Sequence, residues 1–323
     1  MDAVATAQRL ADEVLFPAAL ETDGSEVVPR EVLDALADAG LYGLGAPASV
    51  GGCEADFATV CSVQEALASG CLTVAFVWAQ HLGLVHVLSD LAGSVGDRWL
   101  GALARGEIRA GLALGGALPA PTLRAHEDDS GWLLEGVSPF VSGWGRIDVV
   151  HVAARTDNDE IVWLIVDAVE GGALHVERLR LVALNATATV RVTFTGHTVA
   201  HDRMTVRHPW SGETPPEVLR LHASLALGVV SRCCRLLGPS PLDAELAALR
   251  AELDALGPGA AAARAAAGEL AVRAAAALML TRGSPSLLTS DHAQRLAREA
   301  LFTLVYALRS RSREAALILL RAG

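Results

Sequence analysis

Lysine is absent from the 323 residues, so all 26 basic side chains are arginine. A Schiff base needs a lysine amine, which excludes that mechanism and with it the usual pyridoxal phosphate chemistry. Cysteine is scarce: Cys53, Cys61, Cys71, Cys233 and Cys234 are odd in number and form no CxxC pair. Neither a disulfide framework nor a metal site is expected from them, and they read as small core residues. A basic excess is missing too. The net charge is -11 with no basic run, which argues against nucleic acid as a partner. The opening MDAVATAQRLADEVLF carries Asp2, Asp12 and Glu13 and has no basic region followed by an apolar block. No secretion signal is read there, and the cytoplasm is the expected compartment. Apolar residues make up 52% of the chain, yet no run is expected to span a membrane; ARAAAGELAVRAAAALML, for one, is broken by Arg264, Glu269 and Arg273.

The length allows two or three domains, and periodicity divides the chain into three stretches. Residues 1–107 read as helices. VVPREVLDALADAGLYGLGAP has Pro29 near a helix start, Leu33, Leu36 and Ala37 on one face, and Gly40 at the expected C-terminal cap. LTVAFVWAQHLGLVHVLSDLAG is apolar nearly all round, as a helix buried in a bundle is. From residue 108 to 205 the pattern becomes short runs rich in Val, Ile, Leu and Thr, among them GWLLEGVSPFVSG, IDVVHVAAR, EIVWLIVDA and ATVRVTFTG, separated by DDSG, TDND and EGG turns. A small antiparallel barrel or sandwich is expected. Residues 206–323 return to a helical period in alanine-rich segments broken by GPSP, GPG and GSPS.

Several chemistries are excluded by pattern. GLALGGALPA is not the dinucleotide fingerprint, and no strand here leads into a crossover helix. No GxSxG elbow accompanies the histidines and aspartates. His81 and His86 stand five apart on one helix and do not face each other, so they read as separate core or interface residues.

Four segments, in order, resemble the acyl-CoA dehydrogenase family over nearly the whole chain. AGSVGDRWLGALARGEIRAGLAL is similar to the family's passage from its N-terminal bundle into the β-domain. GWLLEGVSPFVSGWGRIDVVHVAART resembles its Gly-x-Lys-x-Trp-Ile-Thr strand and the strand that follows. LVALNATATVRVTFTGHTVAHDRM resembles the end of that β-domain, and GSPSLLTSDHAQRLAREALFTLVYALR aligns without gaps on the C-terminal run from Gly-Gly-x-Gly through Arg-Asp-Ala to Tyr-Glu-Gly-Thr. The resemblance implies a multidomain α+β fold: an N-terminal helical bundle, a middle antiparallel β-barrel and a shortened C-terminal helical bundle. It also implies FAD, an acyl-CoA or acyl-carrier thioester as substrate, and a homodimer or homotetramer built through the C-terminal helices.

By the same comparison Arg298, Glu299 and Ala300 occupy the Arg-Asp-Ala positions and Tyr306 the tyrosine. The family's catalytic glutamate falls on Ala307, which accepts no proton, within a segment read as one continuing helix. Some members place the base on the first helix of the C-terminal bundle; there Glu217 is the candidate base and Arg220 the candidate substrate contact. The other reading of Glu217 is a helix N-terminal acid favoured by the macrodipole. For the flavin, Phe140 and Ser142 match the Trp and Thr of Trp-Ile-Thr, Trp144 lies beyond them, and Leu114-Gly115-Gly116 replaces the Thr-Glu-Pro turn. Gly115 and Gly116 read either as permitting close approach of a ligand or as a turn needing positive φ. The arginine segment that meets the FAD pyrophosphate has no counterpart, Gly283 and Ser284 replace the paired glycines, and Arg309, Arg311 and Arg313 are either substitute phosphate ligands or a solvated helix face. Three functions remain open: a flavoprotein that oxidises an acyl thioester at the α and β carbons, a degenerate partner subunit of an intact homologue, or a flavin-free binding or non-redox protein.

Overall fold

A computed structural model describes residues 2–91, 93–308 and 310–322. The chain opens with a rod of α1 (Ala3–Leu10), a π-helical turn (Ala11–Leu15) and α2 (Phe16–Gly24). There follow α3 (Arg30–Asp38), α4 (Phe57–Gly70), α5 (Leu72–Asp90) and α6 (Ser94–Ala104). Gly40, beyond the end of α3, adopts φ +71°, the left-handed conformation that stops a helix cheaply only at glycine. The sequence reading that no run reaches membrane length is corrected here: α5 is long and apolar enough to cross a bilayer. In the described structure 61% of that stretch is buried, Trp78 in the helical core and Leu84 and Leu88 against the β-domain.

Eight strands form the middle domain: β1 (Ala110–Ala113), β2 (Leu123–Asp128), β3 (Gly131–Val141), β4 (Val149–Arg155), β5 (Glu160–Asp167), β6 (Leu174–Arg178), β7 (Val190–Val199) and β8 (Met204–Pro209). They make one sheet in the order β6-β7-β3-β2-β4-β5-β8, with β1 beside β4. Pairing is antiparallel except for β1 with β4 and a single β2–β4 contact. Alternation assigns the two faces. Val150, Val152, Ala154, Val162, Leu164 and Val166 point into the domain's own core with Trp132 and Phe194. Val149 and Ile165 point the other way, against Leu84, Leu88, Trp99 and Leu103 of α5 and α6. Covered on both faces, β4 is buried at every position, which explains why apolar residues on it do not alternate with exposed polar ones.

The chain then forms α7 (Pro216–Leu237), α8 (Pro241–Asp254), α9 (Ala260–Arg282), α10 (His292–Val305) and α11 (Ser310–Ala322). The helices at the two ends of the chain share one core, from Leu15 and Leu67 through Leu227 and Val230 to Leu270 and Leu296. Gly228 makes their closest crossing possible: a Cβ there would stand 2.5 Å from the Glu65 carbonyl oxygen and 2.6 Å from the Ala68 Cβ. Locked across that crossing, the Arg220 guanidinium binds Glu65 and Asp254.

Candidate functional site

The segment aligned with the family's catalytic run is not one helix, contrary to the sequence reading. α10 ends at Val305; Tyr306 turns to an extended ψ of 130°, Ala307 adopts φ +54°, and α11 starts at Ser310. A non-glycine residue in the left-handed region costs about 1–2 kcal/mol, so surrounding structure must hold the turn. Arg264 of α9 does so. Its Nη2 donates to the carbonyl oxygens of Thr303 (2.8 Å) and Tyr306 (3.0 Å), where the α10 dipole concentrates negative charge. The guanidinium is fully buried, and that burial pulls it down to about 10. Its Nε and Nη1 have no hydrogen-bond partner among the described residues.

Aromatic rings pack around the same turn. Tyr306 meets Phe76 at 4.9 Å, His222 at 5.1 Å and Phe302 at 5.5 Å between ring centroids. Burial pushes the Tyr306 hydroxyl up, with a hydrogen bond to Gln80 opposing. Through His222, α7 is brought against the turn. Residue 307 itself offers only a methyl group. Two cavities lie elsewhere, at the α7–α8 junction and beside Arg109.

Sequence reasoning placed two residues of α7 at this centre. Glu217 is exposed in the first turn of α7, where a carboxylate favours the helix N-terminus. Arg220, offered as a substrate contact, is 2% exposed and already engaged: Nη2 to Glu65 (2.9 Å), Nε to Asp254 (2.6 Å) and Nη1 to Ser224 (2.7 Å). Burial alone would lower the Arg220 pKa, but Asp254 and Glu65 outweigh it and hold the group above its ordinary value. Arg311 and Arg313 are exposed, with Arg311 near Glu213 at 4.0 Å, and Arg309 lies outside the described residues. Ser284 sits in a single 3-10 turn, Ser284–Leu287, after Gly283 at φ +68°.

On the β-domain, neither Gly115 nor Gly116 has a positive φ. Their lack of a Cβ is instead required by their own neighbours. A Cβ on Gly115 would meet the Val137 carbonyl oxygen at 2.5 Å, and one on Gly116 the Ala154 Cα at 2.4 Å. Arg155, which the sequence reading left unassigned within Ala-Arg-Thr, clamps this turn. It donates to the carbonyl oxygens of Gly116 and Leu118 (both 3.0 Å), while Trp210 stacks on its guanidinium at 4.3 Å. The clue was available, since a buried strand-end arginine needs acceptors. Ser142 is buried, its hydroxyl 2.7 Å from that of Thr189. Trp144 is partly buried against the β-core. Phe140 points outward and is 65% exposed.

At the positions where the resemblance would seat FAD, several described groups are engaged with one another. At the ring end the Ser142 hydroxyl is taken up by Thr189 and the Gly115–Gly116 turn is closed on its own strands. At the end of α7, Arg232 and Arg235 are both bound to Asp12.

Known proteins resemble this chain in part of its sequence and in its fold. Residues 2–107 match the family described as acyl-CoA dehydrogenase, N-terminal domain. The (2S)-methylsuccinyl-CoA dehydrogenase of Cereibacter sphaeroides is 29% identical over 157 residues, covering 46% of this chain and 29% of that protein. The 3-sulfinopropanoyl-CoA desulfinase of Paraburkholderia xenovorans (strain LB400) is 26% identical over 215 residues, covering 61% and 53%. These matches thus span about a third to a half of the curated relatives' length. Butyryl-CoA dehydrogenase from Megasphaera elsdenii has the same fold, with a TM-score of 0.83 at 18% identity over 99% of this chain and 97% of that one. Residues 2–107 thus belong to the acyl-CoA dehydrogenase N-terminal domain family, and the chain as a whole has the acyl-CoA dehydrogenase fold.

Proposed function

We propose that this chain is a catalytically degenerate, non-dehydrogenating member of the family: a cytoplasmic subunit that holds an acyl thioester without removing its α-proton. Its three units are residues 1–107, 108–205 and 206–323. Dehydrogenation takes a proton from the α-carbon to a carboxylate and a hydride from the β-carbon to a flavin. The carrying observation is that the turn at residue 307 presents alanine, backed by Arg264, Phe76, Phe302 and Tyr306 rather than by an acid. A relative named as a desulfinase supports thioester chemistry other than dehydrogenation on this scaffold. Association with a second copy or an intact homologue is supported by exposed apolar side chains on the C-terminal helices, Leu280 (84%), Val305 (70%) and Ile318 (61%).

One observation favours a second reading. Phe140, exposed where the family's flavin-facing tryptophan aligns, is a shelf on which a flavin could stack, with Glu217 then the relocated base. The deciding experiment is the visible absorbance spectrum of the protein loaded with excess FAD and freed of unbound cofactor, followed under nitrogen during addition of butyryl-CoA. No retained flavin, or retained flavin that butyryl-CoA leaves oxidised, is the expected result. Bleaching that disappears in Glu217→Gln would overturn the proposal in favour of the dehydrogenase.

A further inference from the structure

A polar cavity of about 50 Å³ lies where the N-terminal helices meet the β-domain, distant in sequence from the turn at residue 307. It is lined by Arg30 at the start of α3, by Gly106, Glu107 and Arg109 ahead of β1, and by the β3–β4 loop from Gly145 to Asp148. Its carboxylates are already used. Glu107 is bound to Arg105 (2.7 Å), Asp148 accepts the Arg109 backbone N–H (2.8 Å), and neighbouring Asp34 pairs with the Arg109 guanidinium. The cationic donors are not exhausted. Arg109 is 6% exposed, yet its Nε has no hydrogen-bond partner among the described residues. Arg146 donates to two carbonyl oxygens, Val28 at 2.7 Å and Gly145 at 2.9 Å, which satisfy its geometry and leave its charge uncompensated. The four arginines, Arg30, Arg105, Arg109 and Arg146, thus face three carboxylates, an excess of one positive charge.

A buried donor without an acceptor costs about 1–3 kcal/mol, and a partly open cationic space favours an anion over water alone. One water needs roughly 10–15 Å³ of such space, so the cavity holds a few waters or one small oxyanion, and nothing as large as a nucleotide. We propose that this cavity is a binding site for a single small oxyanion of the phosphate or sulfate class. Arg109 and Arg146 are its inner ligands and Arg30 its outer one. The bound anion ties α3, the segment leading into β1 and the β3–β4 loop together.

The test is equilibrium dialysis of the full chain against radiolabelled inorganic phosphate, with chloride at matched ionic strength as the screening control. One phosphate per chain, displaced by sulfate and not by chloride, is expected. Affinity should fall at least tenfold in Arg146→Gln and severalfold in Arg30→Gln. Arg30 is largely exposed and its replacement leaves the fold intact, so it serves if Arg146→Gln does not fold. Absence of binding at 10 mM phosphate, or binding that survives both substitutions unchanged, overturns the assignment.

Discussion

Glu65→Gln separates two accounts of Arg220, a strut in the helical core or a contact for substrate. Both Glu65 oxygens are engaged, Oε1 with Arg220 and Oε2 with Arg250, each at 2.9 Å. The Arg220 side is buried on both partners, whereas Arg250 is 37% exposed. Removing one member of a buried pair costs about 3–5 kcal/mol, because the remaining charge stays out of water. Asp254 still meets Arg220 after the change but is half exposed, so the expected loss sits at the lower end, about 3 kcal/mol. The Arg250 contact adds about 0–1 kcal/mol at most. Urea unfolding followed by helical circular dichroism, with the midpoint and slope fitted together, reads this directly. The double variant Glu65→Leu with Arg220→Met removes both buried charges and should recover most of the loss. If Glu65→Gln costs less than about 1 kcal/mol, or if the double variant is as unstable as the single one, the strut is refuted and Arg220 returns to the list of substrate contacts.

His81 and His151 supply a second prediction. Burial holds each at about 3; the His81 Nδ1 accepts the Ala110 N–H, and the His151 Nε2 lies 2.9 Å from the Thr205 hydroxyl. Below about pH 6.5 the unfolded chain takes up protons that the folded chain refuses, so stability falls with pH by about 1.4 kcal/mol per unit for each histidine. Glu299, which burial pushes up, works in the opposite sense: the folded state keeps a carboxyl proton that the unfolded state has released. His197 and His292, which burial also holds low, add to the decline, so between pH 6.5 and 4.5 the net slope is at least that of one histidine. Unfolding midpoints at pH 7, 6 and 5 should decline, and less steeply in His151→Phe; a flat profile would contradict the assignment. Gly116→Ala should destabilise by about 1–3 kcal/mol, an overpacking cost, since the added carbon must displace β4 at Ala154. A thermal midpoint within 1 °C of the parent would show that the turn is looser than its geometry.

The order of helices, strands and helices was legible because each part has its own period: 3.6 in VVPREVLDALADAG, 2 in ATVRVTFTG, neither in the breaks. Two strands were not read. β2, LRAHED, is mostly exposed beyond Ala125, and β8, MTVRHP, pairs at the end of the sheet, so neither carries the apolar alternation that marks a strand. The break after Val305 was hidden for a different reason. No glycine or proline lies between Val305 and Ser310, and the turn rests on hydrogen bonds from Arg264, some forty residues earlier in the chain. The ion pairs of Arg220 were hidden in the same way, because its partners, Glu65 and Asp254, come from α4 and α8. Side-chain identity is local information and pairing is not. The same limit applies to Gly115 and Gly116, whose close neighbours Val137 and Ala154 lie on other strands.

The turn at residue 307 also bears on the proposal that the chain does not remove an α-proton. A carboxylate placed there would stand beside a helix C-terminus, which disfavours a negative charge. The Arg264 guanidinium, bonded to the carbonyl of the preceding residue and with two nitrogens unpartnered, would offset that cost. Ala307→Glu is therefore expected to fold, with its carboxyl ionised at neutral pH. Whether it then acts as a base can be read without flavin, because abstraction of the α-proton exchanges it with solvent even when no hydride leaves. Butyryl-CoA in deuterium oxide, followed by proton NMR, should show no α-exchange above background with the parent protein and measurable exchange with Ala307→Glu. Exchange by the parent protein that Glu217→Gln abolishes would place the working base on α7. It would overturn the inference that loss of the carboxylate at residue 307 left the site without one.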